Sequence, residues 1–342
     1  KTIDEKENEE IRIFFEKGDF KIKYGNKNDN LVDLINAGKI MMDISDMRLS
    51  LLEQNLNLNY NSSKNHQDLL EINEDIKQRV NLEGNLELRV ILEINKIIQS
   101  RGNKLGRDYF KEIEEDFSKL TVFNYEMTKA CKKHNVSKNL IYGLVATESQ
   151  GEIFAYSDAD AAGLWQLMPE TARDLGLIVD EFIDQRYEPL LSADVAIGYF
   201  SKITRKLEFD INPILGLIAY NLGPTKTSRL VKKFGTKFED LVGHIPLETE
   251  RHVIKTLSRL YLIMYADELN LNIEQKPSYR KVIQKLETDY FLHRKKENET
   301  MKTIADKYDT TEFLVRLFNP QLTPDNIMKN HPIKVSRVKY LN

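Results

Sequence analysis

Cysteine, tryptophan and long apolar runs are scarce in this sequence. One cysteine, Cys131, excludes an intramolecular disulfide and a cysteine-rich zinc site. The six histidines are scattered without an HExxH-type pair, so no metal site and no cofactor are expected. No run approaches the roughly 18 apolar residues that a spanning helix needs, so no transmembrane segment is expected. A net charge of -3 lacks the basic excess by which nucleic-acid binders neutralise phosphates, which argues against a nucleic-acid partner. What is present is 41% hydrophobic and 30% charged residues in a chain of 342. That is polar, but enough for a sizeable core and about two domains.

Residues 1–75 are rich in Asn, Lys and Glu. Helical spacing runs through Ile40, Ile44, Met47 and Leu51 and again through Leu69, Ile72, Ile76 and Val80, with the Asn-rich stretch 55–65 as a loop between. This predicts a helical N-terminal extension used for packing or for binding a protein partner. Residues 76–270 read as one α-helical unit. Leu86, Val90, Ile94, Ile97 and Ile98 form a stripe, and Gly102 and Gly106 bracket a turn before a helix from Tyr109. A polar linker with Pro277 is expected over 271–287. Residues 288–342 change character. Tyr290-Phe291-Leu292 reads as a strand, Thr300 caps a helix with Met301, Ile304 and Tyr308, and Thr310 or Thr311 caps a second. Ile333 and Val335 alternate with Lys334 as a closing strand. The expected fold is mainly α, with a small strand–helix–helix–strand module at the C-terminus.

The stretch 136–149 carries chemistry. Ser137 is a good N-cap, and Val136 and Ile141 flank it as a hydrophobic staple. Ile141, Leu144 and Val145 form the buried face, and the next position on that face is Glu148. A carboxylate there is partly desolvated and lies in a last turn where the helix dipole disfavours negative charge. Both effects favour the protonated acid that general acid catalysis needs. Taken alone, a Glu at such a position more often turns to solvent or pairs with an arginine. Downstream, 157–169 is full of small residues and holds Trp165 beside Gln166, a pairing that suits a sugar ring, although a lone Trp is more often core. Pro169 opens a helix and Gly176 closes it. Asn212 caps another helix, Pro213 takes its first position, Gly223 ends it, and Tyr220 and Asn221 sit at its C-terminus.

These residues together resemble a known family. Glu148-Ser149, Ser157, GLWQLMPETA (163–172), Asp184-Gln185-Arg186, Pro189, AYN (219–221) and IPLETERHV (245–253) are similar in order and spacing to the lytic transglycosylases, above all the membrane-bound D type with its lysozyme-like domain. The motifs span roughly 123–265. The resemblance implies a lysozyme-like helical catalytic domain and an exported protein of the periplasm or cell envelope, with a leader upstream of Lys1. It implies cleavage of the β-1,4 bond between N-acetylmuramic acid and N-acetylglucosamine of peptidoglycan strands. Carried over, Glu148 is the acid and then the base that gives a 1,6-anhydro product. Ser157 and Tyr220 contact the N-acetyl group, Gln166 and Met168 line the cleft, and Asn221 and Glu248 orient the site. Two departures bear on the shape of the cleft. Gly151 and Ile153 replace an aromatic and a proline, and His252 stands where the family has Tyr.

Residues 288–336 resemble a LysM module, a binder of N-acetylglucosamine-containing glycans, through Asn298-Glu299-Thr300-Met301, Ile304-Ala305-Asp306-Lys307-Tyr308 and Leu317-Phe318-Asn319-Pro320. Two other readings stay open at this point. Asp158 or Asp160 can supply the second carboxylate of a hydrolytic muramidase on the same fold, or the chain is a weakly active wall-binding scaffold.

Overall fold

The stripe at Leu86, Val90, Ile94 and Ile97 becomes the buried face of helix α1 (Leu86–Gln99). In the computed structural model, residues 12–16, 19–23, 86–206, 212–322 and 327–337 are described. The chain divides into residues 1–64 and 65–342.

In the first unit, β1 (Arg12–Glu16) and β2 (Asp19–Lys23) pair antiparallel, with Ile13 opposite Ile22 and Phe15 opposite Phe20. This departs from the helical expectation for the extension. The physical reason is the period: Ile13, Phe15, Phe20 and Ile22 alternate at period two about Lys17-Gly18, which is hairpin patterning. The helical stripes read over 40–51 and 69–80 lie outside the described residues.

The second unit is a helical body. After α1 come α2 (Tyr109–Thr121), α3 (Asn124–His134) and α4 (Lys138–Glu148). Ser137 caps α4 as expected, its hydroxyl accepting from Leu140 N. Then follow α5 (Pro169–Asp174), α6 (Pro189–Lys206), α7 (Pro213–Leu222), α8 (Pro224–Phe234), α9 (Phe238–Leu241) and α10 (Leu247–Met264). Asn212 caps α7 through Ile214 N and Leu215 N, and Gly223 ends it at φ 94°. Helix α10 packs against α4, α1 and α7. Gly143 makes the α4–α10 crossing close: a Cβ there would lie 2.7 Å from Thr256 O and 2.9 Å from Leu260 N.

The expected polar linker is a strap. Asn272 N donates to Glu114, Glu274 N to Ser118 and Lys276 N to Thr121, all on α2, before α11 (Tyr279–Glu287). Tyr279 is buried, and Arg280 pairs with Glu126 at 2.8 Å.

The C-terminal module has the expected order: β3 (Tyr290–Arg294), α12 (Met301–Lys307), α13 (Glu312–Phe318) and β4 (Pro332–Ser336), with β3 and β4 antiparallel. Thr300 and Thr303 form a reciprocal capping box, and Thr311 caps α13. Met301, Ile304, Val315, Ile333 and Val335 fill its core. The module is docked on the helical body. Asp184 N donates to Gln321 O at 2.7 Å, Ile183 bridges Leu322, and Phe154 meets Phe313 edge-on under the Arg316 guanidinium.

Candidate active site

Four segments converge: the end of α4, the loop 150–168, the end of α7 and the start of α10. Glu148 is the last residue of α4, on the buried face that periodicity assigned to it, and its side chain is 14% exposed. Its carboxylate Oε1 lies 2.8 Å from His252 Nε2 on α10. His252 is 7% exposed, and its Nδ1 is buried without a hydrogen-bond partner.

The loop is built from backbone geometry that few side chains tolerate. Gly163 has φ 78°, and a Cβ there would fall 2.1 Å from Arg186 O, so no side chain fits. Gln166 adopts φ 45°, and its Nε2 donates to Gly163 O at 2.9 Å and to Ala155 O at 3.3 Å. Ala162 and Leu167 exchange backbone hydrogen bonds across this turn. Ser157 Oγ accepts from Ala161 N at 3.0 Å, so the half-buried Ser157 shapes the loop. Tyr156 donates to the Asp160 carboxylate, which engages one of the two loop aspartates; Asp158 is exposed.

Trp165 is core. It is 1% exposed and does not offer its ring to a sugar. Its carbonyl accepts from the Tyr220 hydroxyl at 2.7 Å, which ties the loop to α7. Burial pushes the Tyr220 phenol well above its ordinary value, and the Glu148 charge pushes it the same way. Met168, at the N-cap of α5, is exposed on the rim. Asn221 accepts from Thr249 Oγ1 at 2.6 Å, which ties α7 to α10. Glu248 is exposed in the first turn of α10; the contact to α7 is made by its neighbour Thr249. The buried acid of this turn is Glu250, paired with Arg89 at 2.9 Å.

Two residues carry more of the site than the motif pattern assigned to them. Arg186 is buried, pairs with Asp184 through Nε and Nη2, and donates from Nη1 to Leu167 O and Asp160 O. It clamps the loop from outside. His252 partners the candidate acid; Thr249, His252, Val253 and Thr256 share helical spacing and are all buried, a pattern that puts the imidazole on the inner face of α10. Among the described residues, no cluster of three or more His, Cys, Asp or Glu is arranged to hold a metal, and no helix is long and apolar enough to cross a membrane.

Comparison with known proteins places this geometry. Residues 126–241 match the family described as Transglycosylase SLT domain. The chain is 30% identical over 139 residues to membrane-bound lytic murein transglycosylase D of Escherichia coli (strain K12), covering 40% of this chain and 30% of that protein. It is 26% identical over 156 residues to membrane-bound lytic murein transglycosylase E of Buchnera aphidicola subsp. Acyrthosiphon pisum, covering 43% of this chain and 69% of that protein. A solved structure of lytic transglycosylase Slt from Pseudomonas aeruginosa is similar at 21% identity and TM-score 0.38, covering 56% of this chain and 32% of that one. The chain spans 30% of the length of the transglycosylase D that it matches. The segment that brings Glu148, the Gly163–Gln166 turn and Tyr220 together is therefore a transglycosylase SLT domain, homologous to the membrane-bound lytic murein transglycosylases D and E.

Proposed function

We propose that the chain cleaves the β-1,4 bond between N-acetylmuramic acid and N-acetylglucosamine in peptidoglycan without water, leaving 1,6-anhydromuramic acid ends. The observation that carries this reading is the setting of Glu148: a largely buried carboxylate in an SLT domain whose hydrogen-bond partner is a histidine and not a second carboxylate. Hydrolysis by the usual glycosidase routes needs two carboxylates flanking the bond. One carboxylate suffices when the nucleophile is the sugar's own C6 hydroxyl.

In the first step, Glu148 protonates the glycosidic oxygen, the C1–O bond breaks and the N-acetylglucosamine portion leaves. In the second, the Glu148 carboxylate takes the proton from the C6 hydroxyl and O6 bonds to C1. The attack is intramolecular and gains a large effective concentration. Tyr220 spends its hydrogen on Trp165 O, so its remaining lone pairs accept from the acetamido N–H. Ser157 spends an acceptor on Ala161 N, which leaves its O–H to donate to the acetamido carbonyl. Gln166 spends its Nε2 on the turn and presents its carbonyl to the cleft, and Met168 lines the rim. Asn221, its Oδ1 held by Thr249, offers its NH2 to the glycan, and Glu248 at the mouth orients the strand.

The same reading places the protein in the periplasm or cell envelope and gives residues 288–342 the task of holding N-acetylglucosamine-containing strands. The N-terminal extension, 1–75, serves a protein partner.

Digestion of purified sacculi with mass analysis of the muropeptides tests the reaction. Anhydro ends are lighter by one water than hydrolysis products, and they are the expected result. Reducing muramic ends that take up oxygen label from heavy water would make the protein a muramidase. Glu148→Gln keeps the shape of the side chain and removes the proton; it is expected to lower cleavage by about 10²–10⁴-fold. Unchanged turbidity clearance by this variant would remove Glu148 from the mechanism.

A further inference from the structure

The Glu148 carboxylate is held through Oε1, 2.8 Å from His252 Nε2, and both side chains are largely shielded from water. The orphaned Nδ1 of His252 selects the ring's proton arrangement. With the hydrogen on Nε2, the neutral ring donates to the carboxylate and leaves only a lone pair at Nδ1. With the hydrogen on Nδ1, a buried donor has no acceptor, which is the costlier arrangement. An imidazolium would bury that same donor together with a charge.

We propose that His252 is a positioning residue for the catalytic glutamate: it donates from Nε2 to Oε1, turns Oε2 toward the glycosidic oxygen and the C6 hydroxyl, and supports the ionised carboxylate in the half-reaction where Glu148 acts as base. This rests on the lytic reading above. It adds a role for a residue that touches no substrate atom and acts through Glu148.

The neighbouring ionisable groups have other engagements. On α1, Arg89 pairs with Glu250, and Lys96 lies 3.6 Å from Glu93. On α7, Tyr220 stays a phenol and donates to Trp165 O. On α4, Lys138 and Tyr142 lie toward the opposite end from Glu148. On α10 itself, Glu248, Arg251 and Lys255 are exposed. On α2, Asp116 faces the charge of Arg259, and burial pushes its carboxyl up to about 7, so it titrates in the range of interest and needs its own control.

The test is the pH dependence of kcat and KM on a soluble glycan-strand fragment, with the full chain. His252→Phe removes the donor and is expected to lower kcat about tenfold or more with KM little changed. Losing the donor to the carboxylate should also move the high-pH limb of kcat upward. His252→Gln places an amide N–H on the same carboxylate and should restore most of kcat with the limb near its original place. Asp116→Asn should leave the limb unmoved. Nitrogen-15 spectra of the labelled histidine ring in the unaltered protein supply a reading that depends on no variant's folding, with a neutral Nε2–H ring expected. An Nδ1–H ring, or a limb that stays in place in both His252 variants while Glu148→Gln is inactive, would overturn the inference and leave the lytic reading standing. An active Glu148→Gln would overturn both.

Discussion

Two buried aspartate–arginine arrangements sit in different parts of the molecule and behave oppositely. In the site loop, Asp184 and Arg186 are each almost fully buried, and Arg186 spends its donors on the Asp184 carboxylate and on the carbonyls of Leu167 and Asp160. Between α2 and α10, Asp116 feels the charge of Arg259, yet Asp116 Oδ2 and Arg259 Nε are buried with no partner. The first is a clamp whose polar groups are satisfied, and it gives an irregular loop one shape. The second, formed by residues of α2 and α10, leaves buried polar atoms without partners, and its desolvation is not fully offset. Buried charge whose partners are all met shapes the loop, and buried charge whose partners are not met leaves a carboxyl raised to about 7.

The largest expected effect comes from breaking the clamp. Arg186→Met leaves Asp184 as an uncompensated buried charge and frees two carbonyls, which is expected to cost about 3–5 kcal/mol. Thermal or denaturant melts measure that loss. Helical circular dichroism should persist below the midpoint, and wall cleavage should fall because the Gly163–Gln166 turn loses its outer support. A variant that melts like the parent would show that the Ala162–Leu167 backbone pairing alone fixes the loop.

The second effect is a pH dependence at Asp116. Its folded value of about 7 lies above the ordinary 3.8, with burial the main cause and the Arg259 charge opposing it. Between those two values the folded protein binds more protons than the unfolded chain. Stability is therefore highest at the acidic end of the interval, falls as pH rises toward about 7 and levels off above, a loss of about 2–3 kcal/mol between pH 5 and pH 8. Melting midpoints between pH 5 and pH 8 report it. Asp116→Asn should flatten this component of the slope, and a slope that persists unchanged would assign it to other groups.

The helical body was legible because its signals are local. Ser137, Asn212 with Pro213, Thr300 and Thr311 cap the helices expected of them, and the stripe ending in Glu148 fixed the depth of that carboxylate. The loop and the strap were less legible because their partners are distant in sequence. Glu114, Ser118 and Thr121 follow helical spacing on α2 and bind the backbone of 272–276, partners that no local pattern announces. The Asp184-Gln185-Arg186 motif could be matched without revealing that Arg186 reaches back across the turn to Leu167. Gln166 and Asp160 adopt positive φ, which a non-glycine residue does not announce in sequence. Glu148 was found from its helix face, while its partner required the close α4–α10 crossing that Gly143 permits.

The smallest expected effect sharpens the comparison at the point where loop and helix meet. Tyr220 on α7 packs its ring against Tyr199 and Phe200 and donates its hydroxyl hydrogen to Trp165 O. Tyr220→Phe keeps the ring and deletes one neutral hydrogen bond, so the expected cost is about 0.5–1.5 kcal/mol. On a protein of this size that corresponds to a midpoint lower by about 1–2 °C. The catalytic consequence depends on which hydroxyl function dominates. A tie that only steadies the loop predicts a loss of activity in proportion to loop order, which lower temperature restores. A hydroxyl that also accepts from the substrate's acetamido N–H predicts a loss of cleavage that persists far below the melting range. The expected result is the second, because the bond to Trp165 uses the hydrogen and leaves the oxygen's lone pairs beside Glu148, whose charge bears on the Tyr220 phenol. Initial rates on the soluble glycan fragment well below the midpoint decide it: recovery of the parent rate there would make Tyr220 a structural tie between α7 and the loop.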